Sequence, residues 1–302
     1  MPNDAIMPCL WLDHEAEEAA AFYTRIFPGG RVVAVSHYPE SFDSPGGQAR
    51  GSVLTVEFEV AGQRFTALNG GPMFLIGPSI SFFVFVETPA EVDRLHAALA
   101  EGGTTLMPLD TYPWSARYAW VQDRYRVSWQ VMTAARPATG DVIVPCFMFA
   151  GAQHGRAEEA MRMYVDAFFN AHIESIARYE AGEGPEHTVK HGRFVVAGHT
   201  MVAMDSHGDH RHSFNEALSL QVMCRDQAEI DRYWTVLSAG GEQGPCGWLK
   251  DRFGVSWQIV PMGIATWLSS KDVAARERAF AAMMQMGKPD VAALEAAFQG
   301  TS

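Results

Sequence analysis

The sequence predicts an α+β protein built from four βαβββ units, two in each of two tandem domains, followed by a helical tail. Three observations lead to this prediction: an internal duplication, a repeated order of strand-like and helix-like segments, and the composition. The 302-residue chain is 48% hydrophobic and 19% charged, which is typical of a globular protein and excludes a disordered or fibrous one. At roughly 100 to 200 residues per domain, the length suggests two domains.

The duplication is visible as separated blocks that recur in the same order. PCLWLDHEAEEAAAFYTRIF (8–27) recurs from residue 145 as PCFMFAGAQHGRAEEAMRMYVDAF. AGQRFTALN is matched by AGHTMVAMD, AEVDR by AEIDR, and WVQDRYRVSWQ (120–130) by WLKDRFGVSWQ (248–258). Several blocks in one order indicate two copies of one domain.

These repeats set the domain boundaries that we predict. The first domain covers 1–135, a linker with proline and glycine covers 136–142, and the second domain covers 143–261. A helical extension occupies 262–302.

The first βαβββ unit can be followed along the chain. The apolar run before Asp13 predicts a buried strand, and the spacing of apolar residues over 16–27 predicts an amphipathic helix that ends at Pro28. Strand-like segments follow at 31–38, 51–60 and 63–68. Ala61 and Gly62 predict a tight turn between the last two of these strands.

The second unit repeats this order. A β-rich run over 81–86 precedes a helical pattern over 89–101, which Gly102 and Gly103 end. Strands are predicted near 104–107, 117–122 and 127–132. In the tail, two helices are predicted over 271–286 and 290–298, with Ser270 or Asp272 as the cap of the first.

Charge and hydropathy exclude several classes of partner. Thirty-five acidic and 23 basic residues give a net charge of −12, which disfavours binding to nucleic acid. We see neither a secretory signal nor a stretch long and apolar enough to span a membrane. Four scattered cysteines do not form a disulfide framework or a zinc knuckle, so we expect a cytoplasmic protein with reduced thiols.

The order of elements, the helical FY at 22–23 and the D-x-x-G-x-x-W-Q closing strand resemble the vicinal oxygen chelate superfamily, which includes glyoxalase I and extradiol dioxygenases. The opening WLDHEAEEAAAFYTRIFP and the series CGWLKDRFGVSWQIVP are similar to its PhnB-like branch, often labelled 3-demethylubiquinone-9 3-methyltransferase. The resemblance covers about 6–261. It implies tandem glyoxalase-like domains with curved mixed sheets and one U-shaped cavity per domain.

The resemblance also implies where a metal would be bound in metal-dependent relatives. Counting from the shared motifs places the four ligand positions of each site on four strands. These positions are Pro8, 65–68, Ser81 and Gln130 in the first copy, and Pro145, 201–204, Ser219 and Gln258 in the second. Since none of these side chains is ionisable, we expect no metal cofactor in either site.

Without a metal, the cleft is expected to bind a small molecule through a few polar groups. Gln130 and Gln258 are candidate hydrogen-bonding groups at the cleft floor, although each amide could instead tie neighbouring strands together. The other candidate ligand-binding residues are Ser81, Ser219, Asn69, Asp205, Trp248 and Lys250.

Three further groups of residues carry alternative interpretations. Asp205 is a candidate general base, or, like Asn69, a cap for the turn that follows its strand. Cys246 is a candidate nucleophile or a small buried residue. His207, His210 and His212 could hold a divalent metal such as zinc or iron, or they could belong to a polar loop.

We therefore predict a protein that binds a small, partly apolar or aromatic molecule in one or both clefts without a metal. The alternative is a metal-assisted lyase, isomerase or dioxygenase of the same superfamily. A methyltransferase is the third hypothesis, although no glycine-rich strand-to-helix turn for S-adenosylmethionine is visible. In single-copy relatives two chains often pair, so this fused chain could supply its own partner, and self-association as a homo-oligomer stays open.

Overall fold

The computed structural model describes residues 5–210 and 212–301, and this part of the chain forms two eight-stranded mixed sheets and seven α-helices. The first repeat contains β1 (Ile6–Leu12), α1 (Ala16–Ile26), β2 (Arg31–His37), β3 (Val53–Val60), β4 (Gln63–Asn69), β5 (Ile80–Val86), α2 (Pro89–Ala100), β6 (Thr104–Tyr112), β7 (Ser115–Gln122) and β8 (Ser128–Thr133). This order confirms the predicted α+β class and the βαβββ units of the first copy.

The second repeat has the same order of elements. It contains β9 (Ile143–Phe149), a 3₁₀ turn (Gly151–Gln153), α3 (Ala157–Ala167), β10 (His172–Arg178), β11 (Val189–Val196), β12 (His199–Asp205), β13 (Leu218–Cys224), α4 (Gln227–Leu237), β14 (Glu242–Gln243), β15 (Trp248–Lys250) and β16 (Ser256–Pro261). The 3₁₀ turn accounts for the residues inserted ahead of the shared AEEA motif.

Each sheet combines one unit from each repeat. The first sheet has the strand order β14-β15-β16-β13-β1-β4-β3-β2, and the second has the order β10-β11-β12-β9-β5-β8-β7-β6. Antiparallel pairing of β1 with β13 joins the two halves of the first sheet, and pairing of β5 with β9 joins the halves of the second. The expectation of one cavity per domain is therefore wrong, because each concave sheet face is shared between domains.

The helices α1 to α4 cover one face of these sheets and bury the main core. On β1, Ile6, Leu10 and Leu12 belong to this core, whereas Met7 and Cys9 point to the opposite face. This alternation follows from the period of two along a strand. The sheets thus present one face to the helices and leave the other for a cleft.

The tight turn at Ala61 and Gly62 is confirmed. Both residues have positive φ, 50° and 80°, and Val60 pairs with Gln63 across the turn. Two left-handed residues in a two-residue loop are the requirement of a type I′ hairpin, which glycine meets at no steric cost. Ala197 and Gly198 repeat the same geometry in the second copy.

A buried aspartate ties the first helix of each repeat to a closing hairpin. Asp123 accepts hydrogen bonds from the hydroxyl of Tyr23 at 2.7 Å and from the indole of Trp129 at 2.8 Å. In the second repeat, Asp251 accepts from Tyr164 at 2.7 Å and from the indole nitrogen of the matching tryptophan at 2.9 Å. Two backbone N–H groups also bond to each carboxylate, so this motif fixes the hairpin and helix together.

The C-terminal tail contains three helices rather than the two predicted. They are α5 (Ile264–Leu268), α6 (Val273–Met284) and α7 (Val291–Gln299). Asp272 caps α6 by accepting a hydrogen bond from the Ala275 amide, which decides between the two predicted caps. None of the helices in the described ranges is long and apolar enough to cross a membrane.

We expect the buried Asp123 to make stability depend on pH. Burial raises the pKa of Asp123 to about 6, above its ordinary value of 3.8, so the folded state holds this proton more tightly than the unfolded state. The stability that the folded protein gains from holding this proton is complete below about pH 4, and it is lost as the pH rises through about 6. The loss is on the order of 1 to 3 kcal/mol, since one pKa unit corresponds to about 1.4 kcal/mol.

The measurement is the free energy of unfolding of the wild type and of Asp123→Asn between pH 4 and 7. As the pH rises, the wild type should lose stability relative to Asp123→Asn. Asp209→Asn, at an exposed loop position, is the matched control. A constant difference for Asp123→Asn across this range would contradict the prediction.

Candidate ligand-binding site

The concave face of the first sheet borders a cavity of about 560 Å³, which we call the open cleft. Its walls combine strands β1 to β4 of the first repeat, β13 to β16 of the second repeat and the three tail helices. This volume lies within the range of about 300 to 1,000 Å³ that is typical of small-molecule sites. The open cleft is therefore the candidate site.

Aromatic side chains form one wall of the open cleft. Trp11 packs edge to face against both Phe74 and Trp248. The distances between ring centroids are 5.0 Å to Phe74 and 5.9 Å to Trp248. The indole of Trp11 donates a hydrogen bond to the carbonyl of Gly71 at 2.8 Å, which fixes its orientation. The wall is apolar and rigid, as a binding surface for a ring requires.

The tail helices close the cleft opposite the sheet. Ile264, Leu268, Phe280, Met283 and Leu294 line it from this side. Phe280 on α6 also packs edge to face on Phe42, in the loop after β2, at 4.9 Å. These contacts make the tail a wall of the site.

Neutral polar side chains meet at the floor of the open cleft. The hydroxyl of Thr66 donates to Gln221 Oε1 at 2.7 Å, and Gln221 Nε2 donates to Gln258 Oε1 at 3.2 Å. Gln258 Nε2 in turn donates to Ser219 Oγ at 2.9 Å. Cys9 pairs in register with both Thr66 and Ser219. The floor is thus a hydrogen-bonded chain that crosses four adjacent strands.

Charged side chains also line the open cleft. Lys250 Nζ lies 2.8 Å from Glu216 Oε1. Glu57 and Glu242 also line the cavity. Carboxylates therefore outnumber ammonium groups among the lining residues.

The corresponding face of the second sheet, which we call the filled cleft, is occupied by its own side chains. The buried residues of this cluster are Phe83, Phe85, Tyr118, Met132, Val144, Cys146 and Val202. Tyr118 donates to Gln130 Oε1 at 2.7 Å, and Gln130 Nε2 donates to Ser81 Oγ at 2.9 Å. The amide of Gln130 is therefore satisfied within the protein.

Four differences between equivalent positions distinguish the two clefts. Val202 stands where the open cleft has Thr66, Phe83 replaces Gln221, and Phe85 replaces Met223. By the alignment of the closing strands, Tyr118 corresponds to Cys246, whose short side chain leaves space. At three of these four positions the filled cleft has the larger side chain and the open cleft the smaller one.

The predicted ligand-binding residues fall into three places. Gln258, Trp248 and Lys250 line the open cleft, and Ser219 supports Gln258 from beneath. Gln130 and Ser81 lie in the filled cleft, where they bond to each other. Asn69 and Asp205 belong to neither floor.

Asn69 and Asp205 cap helix N-termini across the fold. Asn69 Oδ1 accepts a hydrogen bond from the Ala16 amide at 2.9 Å, and Asp205 Oδ1 accepts from the Ala157 amide at 3.1 Å. Asp205 also accepts from Val189 N at 2.8 Å, and its carboxylate is 1% exposed. The capping interpretation thus holds, but the capped element is the helix that follows the first strand of each repeat, because β4 and β12 lie beside β1 and β9.

The thiols near the cleft are held in their neutral form. Burial raises the pKa of Cys9 to about 11, and burial also raises the pKa of Cys246. Cys246 Sγ lies 3.5 Å from Met284 Sδ at the tail side of the open cleft. A thiol with a raised pKa is a poor nucleophile, so the local environment does not activate Cys246.

The three candidate metal-binding histidines lie in the loop between β12 and β13. His207 contacts the ring of Tyr179, and His210 Nε2 is 2.6 Å from Ser206 Oγ. The rings of His210 and His212 are 5.0 Å apart. Within 5–210 and 212–301, no three side chains of His, Cys, Asp or Glu are grouped so that they could hold a metal ion.

The strand register corrects one of the four inherited metal positions. Pro8 pairs with Leu220 and lies on the face away from the cleft, whereas its neighbours Met7 and Cys9 line the cavity. Counting from the helix was therefore wrong by one residue, which reverses the face of a strand. With Cys9 in place of Pro8, the set on the cleft face of the first sheet is Cys9, Thr66, Ser219 and Gln258, which offers a protonated thiol, two hydroxyls and one amide. Such donors do not fit a divalent cation, which prefers carboxylate, imidazole or thiolate ligands.

Thr66 and Gln221 were missed by sequence reasoning as individual candidates. Both positions change from polar to apolar between the two repeats, to Val202 and Phe83. A position-by-position comparison of the repeats would have identified both residues from this change. Only the register shows that the two side chains meet, since they belong to different repeats and are 155 residues apart in the sequence.

Two proteins of known structure are similar in sequence to parts of this chain. A Bacillus cereus protein named PhnB is 36% identical, over 42% of this chain and 98% of its own, with a TM-score of 0.39. Protein PA1353 from Pseudomonas aeruginosa is 27% identical, over 41% of this chain and 93% of its own, with a TM-score of 0.36.

A glyoxalase I variant from Zea mays matches at 12% identity over 86% of this chain and 94% of its own, with a TM-score of 0.54, and so shares its fold. No curated protein matches the chain. The family model described as 3-demethylubiquinone-9 3-methyltransferase matches residues 4–132 and 141–260. The chain therefore belongs to the PhnB-like family that this model describes, as a member with two tandem copies of the domain.

Proposed function

We propose that this protein binds one small, partly apolar or aromatic molecule in the open cleft, and that it does so without a metal ion. The observation that carries the proposal is the contrast between the clefts. One copy of the face is filled by Phe83, Phe85 and Tyr118, whereas the other keeps a cavity of about 560 Å³ with a polar floor. A cavity costs stability when it is empty, which makes a ligand the natural reason for its presence.

The lining of the open cleft supports a partly apolar ligand. Trp11, Phe74 and Trp248 provide aromatic surface, and methionines such as Met223 and Met283 adapt to irregular shapes. The polar groups are few and lie together at the floor. This division is typical of sites that take the bulk of a ligand by burial and orient it through a few hydrogen bonds.

Metal-independent binding is supported by the donor chemistry of the floor. Gln258 occupies the strand position where metal-dependent relatives carry a carboxylate, and the amide has no charge to hold a cation. Cys9 stays protonated because burial raises its pKa to about 11. The hydrogen bonds among Thr66, Gln221 and Gln258 further occupy the oxygens that a metal would need.

We also propose that the protein is cytoplasmic and that its two repeats pair with each other within one chain. The four cysteines are free thiols, which suits a reducing compartment. Each sheet takes its two halves from the two repeats, so that one chain completes the site that single-copy relatives would form between chains.

Filling the open cleft should abolish ligand binding. The double variant Gln221→Phe/Met223→Phe places in the open cleft the two phenylalanines that stand at the equivalent positions of the filled cleft. The fold already accommodates these side chains there. We expect the affinity for the uncharged fluorescent probe N-phenyl-1-naphthylamine to fall at least about tenfold, equivalent to about 1.4 kcal/mol. A fluorescence titration measures this, and the wild type should bind one probe per chain.

Trp114→Ala is the matched control, because Trp114 is a large exposed aromatic outside the open cleft, with 54% of its surface exposed. It should bind the probe like the wild type. Unchanged binding by the double variant would place the probe elsewhere and contradict the proposal. Binding of S-adenosylmethionine in competition with the probe would instead favour the methyltransferase that the family description names.

Probe affinity should not depend on divalent metals. After dialysis against a chelator, addition of zinc or ferrous iron should leave the probe Kd and the melting temperature unchanged, since a metal bound to the native state alone would raise stability. Calorimetric melting curves and the probe titration provide the measurement. If metal raises the melting temperature and Gln258→Ala removes this increase, the proposal is contradicted. If His207→Ala removes the increase instead, the metal is bound by the histidine loop.

A further inference from the structure

We infer that the open cleft selects an uncharged molecule with a flat aromatic body and a carbonyl-type oxygen, and that this oxygen accepts a hydrogen bond from Gln221. The inference rests on the proposed function and names the class of ligand. It follows from the unused hydrogen-bonding capacity of the floor, the charges of the lining and a comparison with the filled cleft.

The hydrogen-bonded chain at the floor has a direction. Thr66 donates to the oxygen of Gln221, Gln221 donates to the oxygen of Gln258, and Gln258 donates to Ser219. Both amide oxygens therefore already accept a hydrogen bond. A primary amide nitrogen carries two hydrogens, so each glutamine also has a second N–H to place.

Gln258 is buried, with 7% of its surface exposed, and its nitrogen donates to Ser219 Oγ. Gln221 is only partly buried and lines the cavity, and its nitrogen makes a single described hydrogen bond. Its remaining N–H is the donor that the floor offers to a ligand. A ligand without an acceptor would leave this donor unpaired when it displaces water, which costs free energy.

In the filled cleft, a side chain of the protein itself occupies the space that a ligand would take in the open cleft. The phenol ring of Tyr118 lies in it, and the phenol oxygen hydrogen-bonds to Gln130, the equivalent of Gln258. The phenol donates there because Phe83, which stands in place of Gln221, supplies no donor to the oxygen of Gln130. In the open cleft Gln221 takes that donor role, so the oxygen of a bound ring has to accept.

The charges of the lining disfavour an anionic ligand. Glu216 and Glu242 line the open cleft, and the ammonium group of Lys250, which also lines it, lies 2.8 Å from Glu216 Oε1. A carboxylate or phosphate on the ligand would be repelled by these groups. A neutral ketone or quinone-type oxygen avoids this repulsion and still accepts from Gln221.

Three naphthalene probes of similar shape separate these features. They are 6-propionyl-2-dimethylaminonaphthalene, which carries a neutral ketone, 6-propyl-2-dimethylaminonaphthalene, which keeps the three-carbon chain but lacks the acceptor, and 6-dimethylamino-2-naphthoate, which is an anion. We expect the wild type to bind the ketone about three- to tenfold more tightly than the acceptor-free probe, the effect of one net hydrogen bond. The naphthoate should bind most weakly.

Gln221→Leu should remove the preference for the ketone, because the affinity for the acceptor-free probe rises once no donor is left unpaired by it. The emission of the bound ketone should also shift to shorter wavelength, because this fluorophore reports hydrogen bonding to its carbonyl. Thr66→Val, which installs the residue of the filled cleft, should reduce the preference, since Thr66 is a positioning residue that orients the Gln221 amide. Gln130→Leu, at the filled cleft, is the matched control and should bind all three probes like the wild type.

The outcomes separate this inference from the proposed function. Equal affinity of the wild type for the ketone and the acceptor-free probe, or a preference that survives in Gln221→Leu, would overturn the inference and leave the proposed function standing. Tighter binding of the naphthoate would overturn it as well. If neither these probes nor N-phenyl-1-naphthylamine bind, the proposed function itself fails.

Discussion

Antiparallel pairing between strands of different repeats is the constraint on which the rest of the structure depends. β1 pairs with β13 and β5 with β9, so each sheet is completed by the other copy of the domain. Backbone hydrogen bonds across these two ladders set the register of every cleft-facing side chain. The floor of the open cleft consequently joins Thr66 of one repeat to Gln221 of the other, and neither repeat could form this site alone.

This arrangement allows the two clefts to differ while the scaffold is kept. The motif in which Asp123 or Asp251 joins a tyrosine, a tryptophan and two backbone amides is present in both repeats. Changes on the concave faces leave this motif untouched, because cleft-facing and core-facing residues alternate along each strand. One face has thus become packed with Phe83 and its neighbours, whereas the other has kept its cavity and gained a wall from the tail helices.

Much of the site could be predicted from the repeats, but not its assembly. The shared motifs predicted Gln258, Trp248 and Lys250 as cleft residues, and the structure places all three in the open cleft. Gln130 follows the same sequence pattern and yet lies in a filled cleft, since Tyr118 reaches it from the neighbouring strand. Sequence spacing cannot reveal such a contact because it depends on which side chain occupies the space above the amide.

The sequence by itself determined the duplication, the βαβββ order and the Ala61-Gly62 hairpin, because each depends on local periodicity or backbone preference. The tertiary structure alone decided that the units pair across repeats, that Asn69 and Asp205 cap distant helices, and that Pro8 turns away from the cleft. Those features depend on strand register, and a shift of one residue exchanges the faces of a strand. Register is set by the packing of the whole sheet, which no local segment of the sequence specifies.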